Sequence, residues 1–297
     1  MNRRPVLAPG LQILRSSSAE LQIGVSPEHR LRVPDTPAVR RALAILCRGE
    51  ATRMDTETRK VVAALAPVLR DGDALVHPGV PAAEVAAVAL RHPHDARARL
   101  TARGRTRVTV LGSLGADVST LLTSSGLGTA PGEEDPDGSV VLLLSLGEPD
   151  RAISDRLVRQ RTPHLVVRAL EAELVVGPFV EPDRTACLRC IDAHRATERP
   201  GPAPWTPTEF DATRRDGTAQ PVSAALAAMA LGRAVADLVR YAEGDRPATW
   251  SATITFSWAG DRTEPIDWLR HPRCGCGWNS TTTRAPDAQE GSVTMGA

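Results

Sequence analysis

The 297-residue sequence lacks several features that would assign it to a functional class at once. Its formal net charge is only +1, which argues against a surface dedicated to nucleic acid or to a membrane. No apolar run approaches the ~18 residues that a membrane-spanning helix needs. Residues 1–10 contain two arginines but no apolar stretch, so they do not form a secretory signal. We therefore expect a cytoplasmic protein.

Lysine is also nearly absent. The 36 basic residues include one lysine, Lys60, and arginine supplies the rest. Enzymes that adenylate a carboxylate on a nucleotide-binding α/β fold usually place a lysine on the phosphates. Arginine is not an equivalent replacement, because its guanidinium is a planar fork and an ammonium is a point charge. The composition therefore argues against ATP chemistry in this chain.

Cysteine is scarce but clustered, and four of the five cysteines fall into two close pairs. Cys187 and Cys190 form a Cys-x-x-Cys pair, and Cys274 and Cys276 form a Cys-Gly-Cys pair. Two such pairs are typical of a tetrahedral zinc site with four thiolate ligands. Gly275 allows the backbone to turn so that both of its neighbours face one ion. Four thiolates leave no position for water, so the zinc is expected to be structural.

Disulfides, a redox pair and unrelated core thiols are the alternatives to a zinc site. Disulfides are disfavoured by a cytoplasmic location, and a thioredoxin-like redox pair would not need the second pair. Four unrelated core thiols would rarely cluster in this way. His194 and His271 are reserve ligands beside the two pairs. Cys47 lies elsewhere, on an apolar helix face, and is expected to be an ordinary core residue.

The first 80 residues predict a small winged-helix-like unit. Residues 11–35 show the two-residue alternation of three short strands. A helix begins at Pro37 and stops at Gly49, and another begins near Glu57 and continues its apolar face to Leu69. We expect a β3α3 unit over residues 1–80.

Residues 81–280 predict an α/β domain, in which strands alternate with helices and right-handed crossovers connect parallel strands. The first part, residues 83–104, is a linking helix broken near Pro93. A polar tail, residues 281–297, is expected to be disordered. The predicted strands are 107–112, 139–146, 164–168, 173–180 and 253–258, and the predicted helices are 116–125, 150–161 and 220–244.

The turn after the first predicted strand of this domain occupies the position of a phosphate-binding loop. The complete pattern is G-x-G-x-x-G, but this sequence offers only Gly112 and Gly115. An acid-rich loop at 132–138 replaces the strand where a ribose-binding acid is expected. We therefore expect a degenerate nucleotide loop, with no cofactor-binding role, in a nucleotide fold kept as a scaffold.

Two cysteine-containing segments together carry a resemblance to a known family. Residues 176–195 contain Gly-Pro, a short strand and T-x-C-x-x-C, and residues 271–276 contain His-Pro-x-Cys-Gly-Cys. This combination resembles the ThiF-like, ubiquitin-activating-type fold of bacteriocin, or TOMM, cyclodehydratase partner proteins. The β-β-β-α-α start of the chain is similar to the PqqD-like RiPP recognition element that such proteins carry.

The resemblance implies a non-catalytic subunit. In the family, the recognition element binds the leader of a ribosomal precursor peptide, and a YcaO-type enzyme uses ATP to cyclise the peptide. No YcaO-type segment follows the cysteine motif here, so the partner enzyme is expected to act in trans. The resemblance also implies a structural Zn²⁺, no ATP as cofactor, and a homodimer.

The expected binding mode is addition of the leader as an extra strand, with apolar side chains in a groove beside a helix. For the two arginines of the third strand, a solvated strand face that discourages aggregation is an equal alternative. The valine and leucine of the helix could instead be core. The candidate peptide-binding residues are Arg30, Leu31, Arg32, Val33, Arg59, Val62 and Leu69.

Two competing functions remain. The chain could be an adenylating enzyme that activates a peptide carboxylate with ATP, using residues 107–126. The winged-helix-like unit could instead bind DNA, because residues 1–80 carry 12 basic and 8 acidic residues. That excess is mild, and the last helix of the unit has few side chains that read bases, so nucleic acid is not the expected partner.

Overall fold

The computed structural model contains two compact units, which interleave along the chain. The first unit comprises residues 1–110, 116–140 and 231–247, and the second comprises 111–115, 141–230 and 248–297. The division at residues 80 and 280 made from the sequence stays a prediction. The residues that the structure describes are 5–8, 10–27, 30–48, 54–65, 69–71, 79–130, 139–198, 222–259 and 264–276.

The first unit begins with the expected three-stranded antiparallel sheet. Its strands are β2 (Ile13–Arg15), β3 (Glu20–Ile23) and β4 (Leu31–Pro34), in the order β2-β3-β4. A second, two-stranded sheet was not expected, and it pairs β1 (Pro5–Leu7) with β5 (Leu69–Asp71). Leu69 therefore lies in a strand and not in the helix to which the apolar pattern assigned it.

Two helices cover the three-stranded sheet; the first begins at Pro37 as predicted, and the second begins at Thr56, one residue before the predicted Glu57. Helix α1 (Pro37–Arg48) is preceded by Thr36, whose hydroxyl accepts a bond from a backbone N–H one turn on. Asp55 caps α2 (Thr56–Ala64) in the same way. The third helix of the β3α3 set is not among the residues described up to 71. The shared core consists of Leu21, Ile23, Val39, Ala42, Leu43, Leu46, Val62 and Leu65.

The first unit continues with a helical pair, α3 (Ala82–Arg91) and α4 (Ala96–Arg105), and the break near Pro93 is confirmed. Next come β6 (Arg107–Leu111), a short helix α5 (Ser119–Ser124) and β7 (Gly128–Ala130), with β6 and β7 parallel. The sequence did not predict β7. The acid-rich loop at 132–138 lies outside the described residues.

The second unit contains most of the larger mixed sheet. Its strands run β8 (Ser139–Leu146), β9 (His164–Leu170), β10 (Glu173–Val180), β11 (Ala252–Phe256) and β12 (Ile266–Asp267) in that order across the sheet. Strands β8 and β9 are parallel, whereas β9 to β12 are antiparallel. The α/β class is confirmed, but only part of the sheet follows the crossover pattern.

The described residues of this part of the chain also form three helices: α6 (Arg151–Arg159), α7 (Leu188–Glu198) and α8 (Ala224–Ala242). Strand β11 buries Ile254 and Phe256, but it ends short of the predicted 258, and Trp258 lies beyond its end and is 72% exposed. Among the helices described, none combines the length and the apolar character needed to cross a membrane.

Candidate functional sites

The four paired cysteines come together in the second unit. Their sulfurs all lie within 4.8 Å of one another. Cys187 Sγ is 3.5 Å from Cys274 Sγ and 3.8 Å from Cys190 Sγ, and Cys190 Sγ is 3.5 Å from Cys276 Sγ. Zinc–thiolate bonds of ~2.3 Å in a tetrahedron would separate the sulfurs by roughly 3.8 Å. The four thiols are therefore arranged to hold one metal ion.

Two local structures position the sulfurs. Cys187 immediately precedes α7, and its carbonyl accepts the backbone N–H of Cys190, so the helix start turns both side chains to one side. The second pair lies in the loop after β12, where the Cys274 N–H bonds to the His271 carbonyl. Gly275 has φ +74°, which a residue with a side chain rarely adopts. The turn expected of this glycine is present.

The sulfurs differ in their access to solvent. Cys187 and Cys190 are buried, whereas Cys274 and Cys276 are half-buried. A cleft of ≈ 310 Å³ is lined by Cys187, Cys274 and Cys276, but not by Cys190. Without metal, the contact between the first two sulfurs raises the pKa of Cys187 and lowers that of Cys190. The centre is thus closed on the protein side and open to chelators on the other.

The remaining candidates for this centre lie apart from the four sulfurs. His194 Nε2 bonds to the carbonyl of Leu269 at 2.9 Å, and its ring packs edge-on against His271. Neither histidine belongs to the metal-binding group among the described residues. Cys47 is exposed on α1, so its assignment to the core was wrong.

The two glycines of the degenerate nucleotide loop have structural roles. Gly112 has φ +84°, and a Cβ there would lie 2.0 Å from the carbonyl oxygen of Leu144 in β8. Gly115 has φ +75° and open space around it, and its N–H bonds to the Ser113 hydroxyl at 3.0 Å. One loop N–H is therefore already engaged by the chain itself.

The helix that follows this loop is also poorly suited to phosphate. Helix α5 has six residues, against the ten predicted. Asp117 accepts the backbone N–H of Ser119 at 2.8 Å and the hydroxyl of Thr120 at 2.9 Å, and these bonds lower its pKa. A carboxylate that is charged at neutral pH thus occupies the helix start that would otherwise attract an anion.

Strand β4 is an edge of its sheet. It pairs with β3 in register, and Asp35 N–H bonds to Ala19 carbonyl just beyond the strand. Antiparallel pairing alternates, so Leu31 and Val33 bond to β3 while the N–H and C=O of Arg32 point away from it. Pro34, the next outward position, has no N–H. Arg30 and Arg32 are exposed, and Leu31 and Val33 are partly buried against the core.

Of the three candidate peptide-binding residues assigned to the helix of the expected groove, only one is exposed on that helix. Arg59 is exposed on α2, whereas Val62 is buried in the core, which was the alternative interpretation of this residue. Leu69 lies in β5, in register with Leu7. The structure thus places Arg30 immediately before β4 and the other six candidate peptide-binding residues on β4, α2 and β5.

Sequence patterns did not reveal one group of charged residues at the carboxyl ends of β8 and β9. Glu148, Arg151, Arg168, Asp192 and Arg195 come from separate stretches of the second unit, and we call them the charge cluster. The one available signal was Arg168, a charged residue in an otherwise apolar strand.

No protein-family model matches the sequence, and neither does any curated protein. Solved structures do match. A heterocyclase in complex with substrate and cofactor aligns with 93% of this chain at a TM-score of 0.64 and 16% identity. The heterocyclase TruD aligns with 93% at 0.63 and 15% identity. E. coli MccB, solved with AMPCPP and selenomethionine MccA, aligns with 92% at 0.61 and 12% identity.

The coverage of these structures differs. This chain spans 40% and 43% of the two heterocyclase chains, but 99% of the MccB chain. At such identities the likeness establishes the fold alone. The resemblance to cyclodehydratase proteins drawn from the sequence is confirmed at that level.

Proposed function

We propose that the protein is a leader-peptide-binding scaffold. It delivers a ribosomal precursor peptide to a separate YcaO-type, ATP-dependent cyclodehydratase, which forms azolines or azoles. The observation that carries this proposal is the outer edge of β4, which pairs with no second strand among the described residues and lies beside exposed arginines, in a fold shared with heterocyclases and with MccB. The structures of relatives with substrate, and of MccB with MccA, support a peptide as the ligand.

The β4 edge supplies affinity through its main chain. An incoming strand can bond to the outward groups of Arg32, and Pro34 closes the edge because it offers no N–H. The exposed guanidiniums of Arg30, Arg32 and Arg59 provide charge for acidic residues of the leader. Leu31 and Val33 leave part of their apolar surface open beside this edge.

The cysteine centre has a structural part in this proposal. Four thiolates fill the coordination shell of Zn²⁺, and the metal would tie the loop after β12 to the start of α7. Softness of the ligands favours zinc over harder cations such as magnesium or calcium.

The chain performs no ATP chemistry by itself in this proposal. The loop containing Gly112 and Gly115 lacks the full glycine pattern, and Asp117 would repel a phosphate at α5. In this proposal the partner enzyme binds ATP and carries out the ATP-dependent step. A homodimer and a cytoplasmic location complete the proposal.

The test is a fluorescence-polarisation titration of the full chain. The labelled probe is the leader of the small precursor peptide encoded beside this gene, with and without ATP. Saturable binding at micromolar concentration or tighter, unchanged by ATP, is expected. A leader that fails to bind at any concentration would overturn the proposal.

The second candidate is an ATP-dependent adenylating enzyme that activates a peptide carboxylate. One observation favours it: this chain matches MccB over almost its whole length, and MccB has been solved with ATP. Pyrophosphate exchange separates the two candidates. Exchange by the purified chain, dependent on ATP and peptide, would replace the scaffold with the enzyme.

A further inference from the structure

The charge cluster lies at the carboxyl ends of β8 and β9, within the second unit. Glu148 follows β8, Arg151 opens α6, Arg168 is in β9, and Asp192 and Arg195 are in α7. Ligands of open α/β sheets bind outside the carboxyl ends of the strands. The proposed peptide edge on β4 belongs to the first unit.

Within the cluster, Arg151 engages both carboxylates. Its guanidinium donates to the two oxygens of Asp192 at 2.7 and 2.9 Å, as a bidentate pair. It also donates to Glu148 Oε2 at 2.9 Å. The burial of these groups is therefore compensated by bonds that Arg151 provides.

Arg168 is the residue left over. Its side chain is 0% exposed, and its contact with Glu148 Oε2 is long, at 3.5 Å. Its Nε and Nη2 have no acceptor among the described residues. Glu148 Oε1 likewise has no donor within hydrogen-bond distance among them. Burial lowers the pKa of Arg168 to about 10. Buried donors without a partner are rare in folded proteins, and they commonly mark the place of a bound ion or water.

We infer that Arg168 and Glu148 form a binding site for one small oxyanion, a carboxylate or a phosphate. The unpaired Nε and Nη2 are the two donors of one guanidinium edge, which binds two oxygens of such a group side by side. Glu148 Oε1 accepts from a donor next to the oxyanion, such as the hydroxyl of hydrogen phosphate or an amide beside a carboxylate. Both nitrogens are covered in the structure, so the anion enters when a neighbouring side chain moves aside.

Isothermal titration calorimetry of the full chain tests this site. Inorganic phosphate and N-acetylglycine are titrated separately, at constant ionic strength set with chloride. One of them is expected to bind saturably at one site, and the arm that does identifies the class of anion. Arg168→Met should abolish that heat, and Arg168→Lys should weaken binding at least tenfold, because an ammonium cannot bind two oxygens side by side.

The matched control is Arg184→Met, which removes an arginine that is 67% exposed and paired with Glu181 in the same unit. It should bind as the unchanged protein does. If Arg168→Met does not fold, Arg168→Lys decides the question, because it keeps the charge. The inference is overturned if neither anion binds saturably, or if both Arg168 variants bind like the control. Leader binding, measured in parallel, is expected to be equal in all variants, so failure of the two proposals can be told apart.

Discussion

At Gly112, in the turn after β6, the backbone lies so close to β8 that there is no room for a side chain. Gly112→Ala would place a Cβ 2.0 Å from the Leu144 oxygen at a positive φ. We expect a loss of roughly 3 kcal/mol of unfolding free energy or more, from backbone strain and displacement of the strand. Urea unfolding measures it. Gly115→Ala is the matched control, since it has a similar φ in open space, and should lose only about 1 kcal/mol. Equal losses would show that the Leu144 contact costs nothing.

Removal of one sulfur should destabilise the whole cysteine centre. If the four cysteines hold zinc as proposed, Cys187→Ser is expected to lose that metal and to have a lower melting temperature, because three thiols no longer complete the metal's shell. Metal analysis by mass spectrometry and a thermal melt measure both effects. Cys47→Ser, at an exposed thiol outside the cluster, should change neither. A zinc-free Cys187→Ser protein of undiminished stability would contradict the structural role.

Single residues were predictable to the extent that their chemistry is local. The spacing of the two cysteine pairs predicted the cluster, because two such close pairs have few explanations other than a shared metal site. Arg168 could not be assigned in the same way. Its partners, Glu148 and Arg151, become neighbours only when β8 and β9 pair. The predicted strand 253–258 was too long, because the pairing with β10 ends at Phe256 and Trp258 lies beyond it.

The β4 strand, as an element, should bind the leader through its outward main-chain groups. Arg32→Pro removes an N–H that does not bond to β3, so the sheet should survive while leader affinity falls at least tenfold. Polarisation titration measures the loss. Arg32→Ala keeps the N–H and tests the charge alone, with a smaller loss expected.

Arg15→Pro is the matched control for that strand. The Ser16 N–H bonds to Glu20, so alternation places the Arg15 N–H on the outer side of β2, the opposite edge. Its leader affinity should be unchanged. Equal losses from the two proline variants would mean that the sheet as a whole, and not the β4 edge, determines binding.

Elements with strong periodicity and caps were predictable, and short ones were not. Helices α1 and α2 begin where Thr36 and Asp55 can accept backbone bonds. Strands β5 and β7 have three residues each, too few to show an alternation. Each is a strand because a partner elsewhere in the chain pairs with it.

At the scale of the whole molecule, metal and peptide should act independently. The cysteine centre belongs to the second unit, whereas β4 belongs to the first. A chelator reaching the cleft beside Cys274 should lower the melting temperature by several degrees, as a loss of about 1–2 kcal/mol would. Leader affinity of the same full-length sample, measured below its melting transition, should stay within twofold. A parallel loss of affinity would show that the peptide site needs the metal.

The overall class followed from the sequence because motif and alternation agreed over long stretches. The apolar run at 139–146 became a central strand of the larger sheet, and the two cysteine pairs came together in the second unit. The order of strands was less accessible. Antiparallel pairing of β9 with β10 depends on a tight turn at Glu171, whose φ of +56° no periodicity announces.

Pro34 has a consequence for the design of precursor peptides. Because the edge stops at a residue without an N–H, an added strand has one end stop and little room to slip along β4. The pairing register of the added strand would then be fixed, because a shift by one residue turns every side chain to the opposite face of the sheet. Single-residue insertions inside the docking strand should be far more harmful than insertions between that strand and the modified residues. The number of residues between the docking strand and the modified residue could therefore vary, whereas the register of the docking strand on β4 could not.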